Sequence, residues 1–366
     1  MALKSTDGWD RAQVFERLLR SALAILLSIS TVFSSQSSHK GAGLGNLPPG
    51  ENVLWTDPGD VSSLDFTYGV GGTEGQPCPP FRFLDEDMSG TIAKVNVIDG
   101  RGTNWNVKWG PEARASTFCS RLLWACGYVT ETEYFLAHGR IEGTHGLKRA
   151  SSRISDDGSF KNARFQLRKT TPKFLEGYSW SWPDNPFSGT RELQGLKILV
   201  LLVSNWDTKD ARDAQEKRGK LENTNLAIFE DNSSGQPRYL YSDVDWGASM
   251  GRWGGKLSWS KWDCDGFADQ TRDFVKGVEN GQLKWGFDGK HRKDMTRGIT
   301  VDDVRWVLQY LGKITDVQLQ RGLVASGAKR DETECYTQAL RDRIQQLQRA
   351  VTEHSRQTTS AQEGVH

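Results

Sequence analysis

Residues Leu193–Gly251 read LQGLKILVLLVSNWDTKDARDAQEKRGKLENTNLAIFEDNSSGQPRYLYSDVDWGASMG. An apolar run, Leu193–Val203, ends in Asn205-Trp206-Asp207. Periodicity cannot separate a buried strand from a buried helix here, but the length of the run from Thr190 favours a helix. A charge-alternating loop, Asp210–Glu222, follows and is expected to be solvated. Asn225 comes next. Leu226–Glu230 and Tyr239–Val244 then read as two strands joined by a turn at Asn232–Gly235, leading to Asp243-Val244-Asp245-Trp246-Gly247. Acid, amide and acid in this order suit a divalent cation and a phosphate, because hard cations take oxygen ligands.

This order resembles the catalytic core of the protein-kinase-like fold, in its atypical branches: the phosphoinositide-kinase-like, HipA-like and secretory-pathway kinases. The resemblance implies that Asp207 is the catalytic-loop acid and Lys209 the lysine two residues beyond it. It implies that Asp245 is the metal-binding acid and Asn225 the metal-binding amide. Asp243, two residues before Asp245 and on the same strand face, is a second acid for that metal. The chain departs from ordinary kinases five residues after Asp207, where Arg212 stands. Asn225, or else Asn223, then takes the role from beyond an inserted loop. Gly247 is expected to turn the chain at positive φ while Asp245 faces inward.

Upstream, Phe81–Leu84 is strand-like and Asp85–Gly90 (DEDMSG) is a polar turn. Thr91–Ile98 alternates as a strand, Asp99-Gly100 marks a hairpin, and Thr103–Trp109 returns. Alternation puts Trp105, Val107 and Trp109 on one face and Asn104, Asn106 and Lys108 on the other. A helix follows, with Pro111 at its first position, Glu112 in its first turn, and Gly127 as its stop. Taken alone, Lys108 is an exposed strand lysine and Glu112 a favourable charge at a helix start. The resemblance makes Lys108 the binder of the nucleotide phosphates and Glu112 its partner. It makes Asp85–Gly90 the phosphate-covering turn, whose acids would repel phosphate unless a metal lay between.

Lys+Arg number 47 and Asp+Glu 46, so no global field draws the chain to nucleic acid. Apolar content is low, but 14 Trp and 15 Phe supply enough area for a core. The five Cys show no CxxC pair, which argues against a zinc ribbon and leaves the disulfide pairing open. Cys119 and Cys126 share one helix face, which fits burial. Residues 1–40 carry Arg11, Arg17 and Arg20 ahead of the apolar stretch Ser21–Phe33 and a serine-rich exit. That stretch is short of the ~20 residues a bilayer needs and reads as an export signal or membrane-proximal segment, or else as an amphipathic or core helix. Residues 41–51 form a linker; GAGLG there lacks a preceding strand and is no phosphate loop.

Towards the C-terminus, Trp180 and Trp182 lie in an irregular aromatic loop, and Trp253–Trp262 (WGGKLSWSKW) is rich in Gly and Trp. Core packing or ligand stacking accounts for either. Thr300–Asp303 and Thr315–Gln318 are capping boxes. Tyr336, Leu340, Ile344, Leu347 and Val351 form a helical stripe over 331–353, suited to docking or self-association. Residues 354–366 are expected to be disordered.

The expected fold is therefore α+β and two-lobed: an antiparallel-sheet lobe over 52–137 and a mainly helical lobe over 138–330. The expected function is transfer of a phosphoryl group from ATP, with Mg²⁺ or Mn²⁺, to a hydroxyl of a protein or glycan, in an exported protein. The alternatives are a catalytically inactive scaffold of the same fold and an extracytoplasmic carbohydrate-binding or hydrolytic protein.

Overall fold

The computed structural model describes residues 47–366, apart from 91, 218–219, 256–257 and 364–366. The export segment expected over 1–40 and most of the 41–51 linker lie outside the described residues. What is described lies in the compact unit Gly43–His366 and mixes helices with strands.

Glu51, the last linker residue, already opens β1 (Glu51–Val53). Next come β2 (Phe81–Asp87), β3 (Lys94–Ile98), β4 (Asn104–Trp109), α1 (Pro111–Ala125), β5 (Glu133–Glu142) and β6 (Ser159–Leu167). The five strands close into a barrel in the order β2-β3-β4-β6-β5. The parallel pairing of Phe81 with Ile141 completes the circle. The expected boundary at 137 therefore falls inside β5. Past that boundary residues 138–142 continue β5 and Ser159–Leu167 form β6, so the polar stretch from 138 is part of a barrel hairpin. The reason is visible in β6, where Phe160, Ala163 and Phe165 turn inward against Phe81, Trp105 and Val107. Each buried aromatic removes 150–250 Å² from water, on the order of 5 kcal/mol before entropy.

The β3–β4 hairpin forms as read, with Asp99 at its turn. Asp99 is buried and accepts from Arg101 N and Thr103 N, both at 2.9 Å, and from Trp105 Nε1 at 3.0 Å. Helix α1 ends at Gly127, whose φ of 87° and close approach to Thr56 O leave no room for a Cβ.

The rest of the chain builds a second, larger core. Its elements are β7 (Lys173–Phe174), α2 (Arg191–Leu202), β8 (Gln215–Lys217), β9 (Lys220–Glu222), β10 (Leu226–Asp231) and β11 (Arg238–Asp243). After these come α3 (Cys264–Thr271), β12 (Val275–Glu279), β13 (Gln282–Trp285), α4 (Arg292–Thr296), α5 (Val301–Leu311), α6 (Asp316–Ala325) and α7 (Arg330–Glu363). A sheet in the order β1-β11-β10-β7 packs with α2, which is buried along almost its whole length. Both capping boxes form, at the starts of α5 and α6. Trp180 and Trp182 are 1% exposed, so packing is their role.

The α7 stripe Tyr336, Leu340, Ile344 and Leu347 is buried in this chain's own core, against α3, α5 and α6. The face read as a partner-docking surface is thus consumed internally. The helix also runs on to Glu363, through the stretch expected to be disordered. A disulfide, Cys264–Cys335, ties α3 to α7. Cys119 and Cys126 are buried free thiols, as their shared helix face suggested. No helix among the described residues is long and apolar enough to cross a membrane.

Candidate functional site

Strand alternation dictates what faces out of the barrel. Lys108 pairs in register with Lys94 on β3 and with Arg164 on β6, and Asn106 pairs with Asn96 and Gln166. These polar side chains share one face, opposite the apolar interior. All but Asn96 line a cavity of about 420 Å³ between the barrel and the second core, and Asp245 lines it from the far side.

Lys108 does not project into bulk water. Its Nζ lies 2.5 Å from Glu112 Oε2, and the two side chains are 13% and 10% exposed. Helix α1 begins immediately after β4, so the strand lysine and the first-turn acid are set side by side. The other Glu112 oxygen takes Lys261. Burial alone would raise the Glu112 carboxyl, but the two ammonium groups outweigh it and hold the carboxyl at about 2. Gly247 packs against this pair. It is not at positive φ, contrary to the sequence reading. Glycine is needed there because a Cβ would lie 2.9 Å from Glu112 Cβ.

The loop leaving α2 and the segment after β11 are laced together. Asn205 Nδ2 donates to Asp245 O at 3.1 Å, and Trp206 N to Ala248 O at 3.3 Å. Asn225 bridges both: its Nδ2 donates to Asp207 O, and its carbonyl accepts from Val244 N at 2.9 Å. This leaves Asn225 Oδ1 free to accept. Asp207 Oδ2 is 2.9 Å from Lys209 Nζ. The amide reached from beyond the inserted loop therefore lies against the backbone of the expected catalytic-loop acid.

Asp243 is 2% exposed. Its Oδ1 accepts from Asp245 N at 3.2 Å, and its Oδ2 has no partner. Burial pushes this carboxyl well above the usual range; the one backbone donor does not compensate, and Asp245 and Asp207 add repulsion. An unpartnered buried Asp243 oxygen, the Asp245 carboxylate and the Asn225 amide oxygen are of the oxygen type that hard divalent cations take.

The acidic turn behaves differently from its reading as a phosphate-repelling loop. Glu86 turns away and accepts from Lys148 N and Ala150 N, both at 2.7 Å. Asp87 is paired with Lys94 at 3.2 Å, and Asp85 accepts from Asn96 Nδ2 at 2.7 Å.

Three features went unread in the sequence. Lys261 lies 5.3 Å over both the Trp206 and Trp259 rings while it holds Glu112, and nothing in WGGKLSWSKW signals that reach. Arg343 of α7 is buried and donates to Leu202 O at 2.8 Å and Ser204 Oγ at 2.7 Å, closing the end of α2 just before Asn205. The supposedly solvated Asp210–Glu222 loop begins with a fully buried Asp210. Asp210, Asp213 and His291 draw within ligand distance of one another. The Asp210–Asp213 spacing is that of a capping box, which was the available signal. Comparison with family models, with curated proteins and with solved structures returns no match.

Proposed function

We propose that this chain is a phosphotransferase of the protein-kinase-like fold, with the barrel and α1 as one lobe and the larger core as the other. The observation that carries the reading is Lys108, held by Glu112 in an ion pair and lining the same cavity as Asp245. Lys108 sits on the third barrel strand, where such a fold keeps its phosphate-binding lysine, and Glu112 on the helix that supplies its partner.

In this reading Lys108 binds oxygens of the nucleotide phosphates, and Glu112 fixes its position. Asp207 accepts a hydrogen bond from the acceptor hydroxyl and takes its proton as the new oxygen–phosphorus bond forms. The bond to the nucleoside diphosphate breaks, and that group leaves with the electron pair. Lys209 offsets charge beside Asp207. Asp243, Asp245 and the Asn225 amide oxygen would hold Mg²⁺ or Mn²⁺, which neutralises charge on the phosphates when bound. The unmatched Asp243 oxygen supports such an ion. A glycosidase reading is weaker, because Asp243 is too buried to meet a glycan. The Cys264–Cys335 disulfide supports an oxidising compartment and thus export.

The test is a thermal-shift and phosphoryl-transfer assay with Mn²⁺ and a γ-labelled nucleotide. At a hundredfold excess over Kd the nucleotide should stabilise the protein by about 2.7 kcal/mol, a rise of several degrees. Lys108→Met should abolish the rise. No shift with any nucleotide, or an unchanged shift in Lys108→Met, overturns the reading.

A further inference from the structure

The cavity that holds Lys108 at one end has a differently built end around Glu131. Leu167 N donates to Thr132 O at 2.9 Å, which sets Glu131 just beyond the end of β6, beside Arg168 and Lys169. Two strand spacings, about 10 Å, separate this edge from the strand of Lys108. That separation is comparable to the span between the phosphates and the base of a nucleotide.

Glu131 lines the cavity half-buried and makes no hydrogen bond or ion pair among the described residues. Two of its three cationic neighbours are engaged elsewhere. Arg164 donates to Glu133 Oε1 at 2.9 Å and to Gln166 Oε1 at 2.7 Å, and Arg168 approaches Asp87 at 3.8 Å. Burial, with Glu133 adding repulsion, raises the Glu131 carboxyl to about 7. Lys169 lines the same end and likewise has no hydrogen bond or ion pair among the described residues. Two rings complete it: Phe174 is 47% exposed, and its centroid lies 5.7 Å from that of Phe229.

We infer that this end of the cleft reads guanine in preference to adenine, with Glu131 accepting from the base N1–H and N2–H, Lys169 donating to O6, and Phe174 stacking on the ring. The chemistry follows from the donor inventory. Guanine's N1–H and N2–H hold the Glu131 carboxyl in its ionised form, in which it only accepts, and an ammonium only donates. Guanine presents two adjacent donors and a carbonyl, which this pair complements. Adenine presents its ring N1 as an acceptor where guanine carries N1–H, so the carboxylate would face a lone pair, and a buried polar group left unpaired is costly. The inference rests on the phosphotransferase reading and names the nucleotide it would take.

The experiment is equilibrium binding of GTP, ITP and ATP to the full chain with Mn²⁺, with inorganic tripolyphosphate as a probe of the phosphate end alone. GTP should bind at least about 10-fold tighter than ATP, and ITP, lacking the N2 amino group, in between. Glu131→Gln should erase the GTP advantage and leave tripolyphosphate affinity unchanged. The ITP comparison makes the same test on the unaltered chain if the variant does not fold. ATP binding as tightly as GTP overturns the guanine assignment while leaving the phosphotransferase reading in place. Failure of every nucleotide and of tripolyphosphate overturns both.

Discussion

Two acidic clusters, which share the loop carrying Asp207 and Asp210, are built on opposite terms. In the first, Asp207 and Asp245 lie near enough to Asp243 to repel its carboxylate, Lys209 pairs with Asp207, and a buried Asp243 oxygen is left without a donor among the described residues. In the second, Asp210 is saturated. It takes Arg212 Nη2 at 2.6 Å, Trp182 N at 3.1 Å and Arg212 N at 2.9 Å. Asp213 takes His291 Nε2 at 2.6 Å and Asp210 N at 3.1 Å. Both clusters hold enough carboxylates to suggest a metal. Only the first has unmet valence, and unmet valence inside a protein is what a ligand can satisfy. The second is a brace that fixes the loop after Asp207.

The comparison breaks most directly at Asp245. Asp245→Asn removes charge from the first cluster without removing bulk. Phosphoryl transfer should fall by about 10³-fold, since a metal contributes several kcal/mol at the reacting phosphate. The melting temperature without metal should stay within a degree or two. A variant that keeps full turnover would show that the first cluster holds no ion. Asp210→Ala should do the reverse. It leaves Trp182 N and part of the Arg212 guanidinium unpaired, so urea unfolding should show a loss of about 3 kcal/mol. Added Mn²⁺ should not change that difference. If Mn²⁺ stabilises the parent chain through Asp210, the brace is a metal centre instead.

A smaller effect separates the two lysines on Glu112. Lys108 faces the cavity, whereas Lys261 lies over the Trp206 and Trp259 rings. Lys261→Met should cost about 1 kcal/mol in stability by urea titration, through the lost ion pair and cation–π contacts. Nucleotide affinity should change little, because Lys108 keeps its own Glu112 oxygen. An affinity loss as large as that of Lys108→Met would make Lys261 a phosphate ligand as well.

What the sequence showed and hid follows from how far apart the partners lie. The β3–β4 hairpin, α1, α2, both capping boxes and the β10–β11 hairpin were legible, because a turn residue, a cap or a local period marks each. The order Lys108, Glu112, Asp207, Asn225, Asp245 came instead from the resemblance to the kinase-like fold, since no turn, cap or local period marks it. Three things were not legible. β6 and the second half of β5 were obscured because the stretch from 138 on is basic and polar, and only closure of the barrel makes the alternation matter. Asp210 looked like one charge among many in DARDAQEKRGKLE; its burial depends on Trp182 N, 28 residues away. Lys261 and Arg343 act across 149 and 141 residues, on Glu112 and Leu202, and no local pattern encodes such a contact.

The finest test concerns Asp243, where the contrast becomes a dependence on pH. Its folded carboxyl is raised well above the ordinary value of 3.8. The folded state therefore binds more protons than the unfolded state at pH values above 3.8. Stability contributed by this group is present below that pH and declines as pH rises towards the raised value. Asp243→Asn is neutral at every pH and removes that slope. In metal-free buffer the variant should melt a few degrees higher than the parent at pH 7–8, and the gap should close towards pH 4. Mn²⁺ should invert the order at pH 7, because only the parent has the carboxylate that the ion ionises. A pH-independent gap, or a gap blind to Mn²⁺, would mean that the orphaned oxygen is met by solvent and that the first cluster is as self-sufficient as the second.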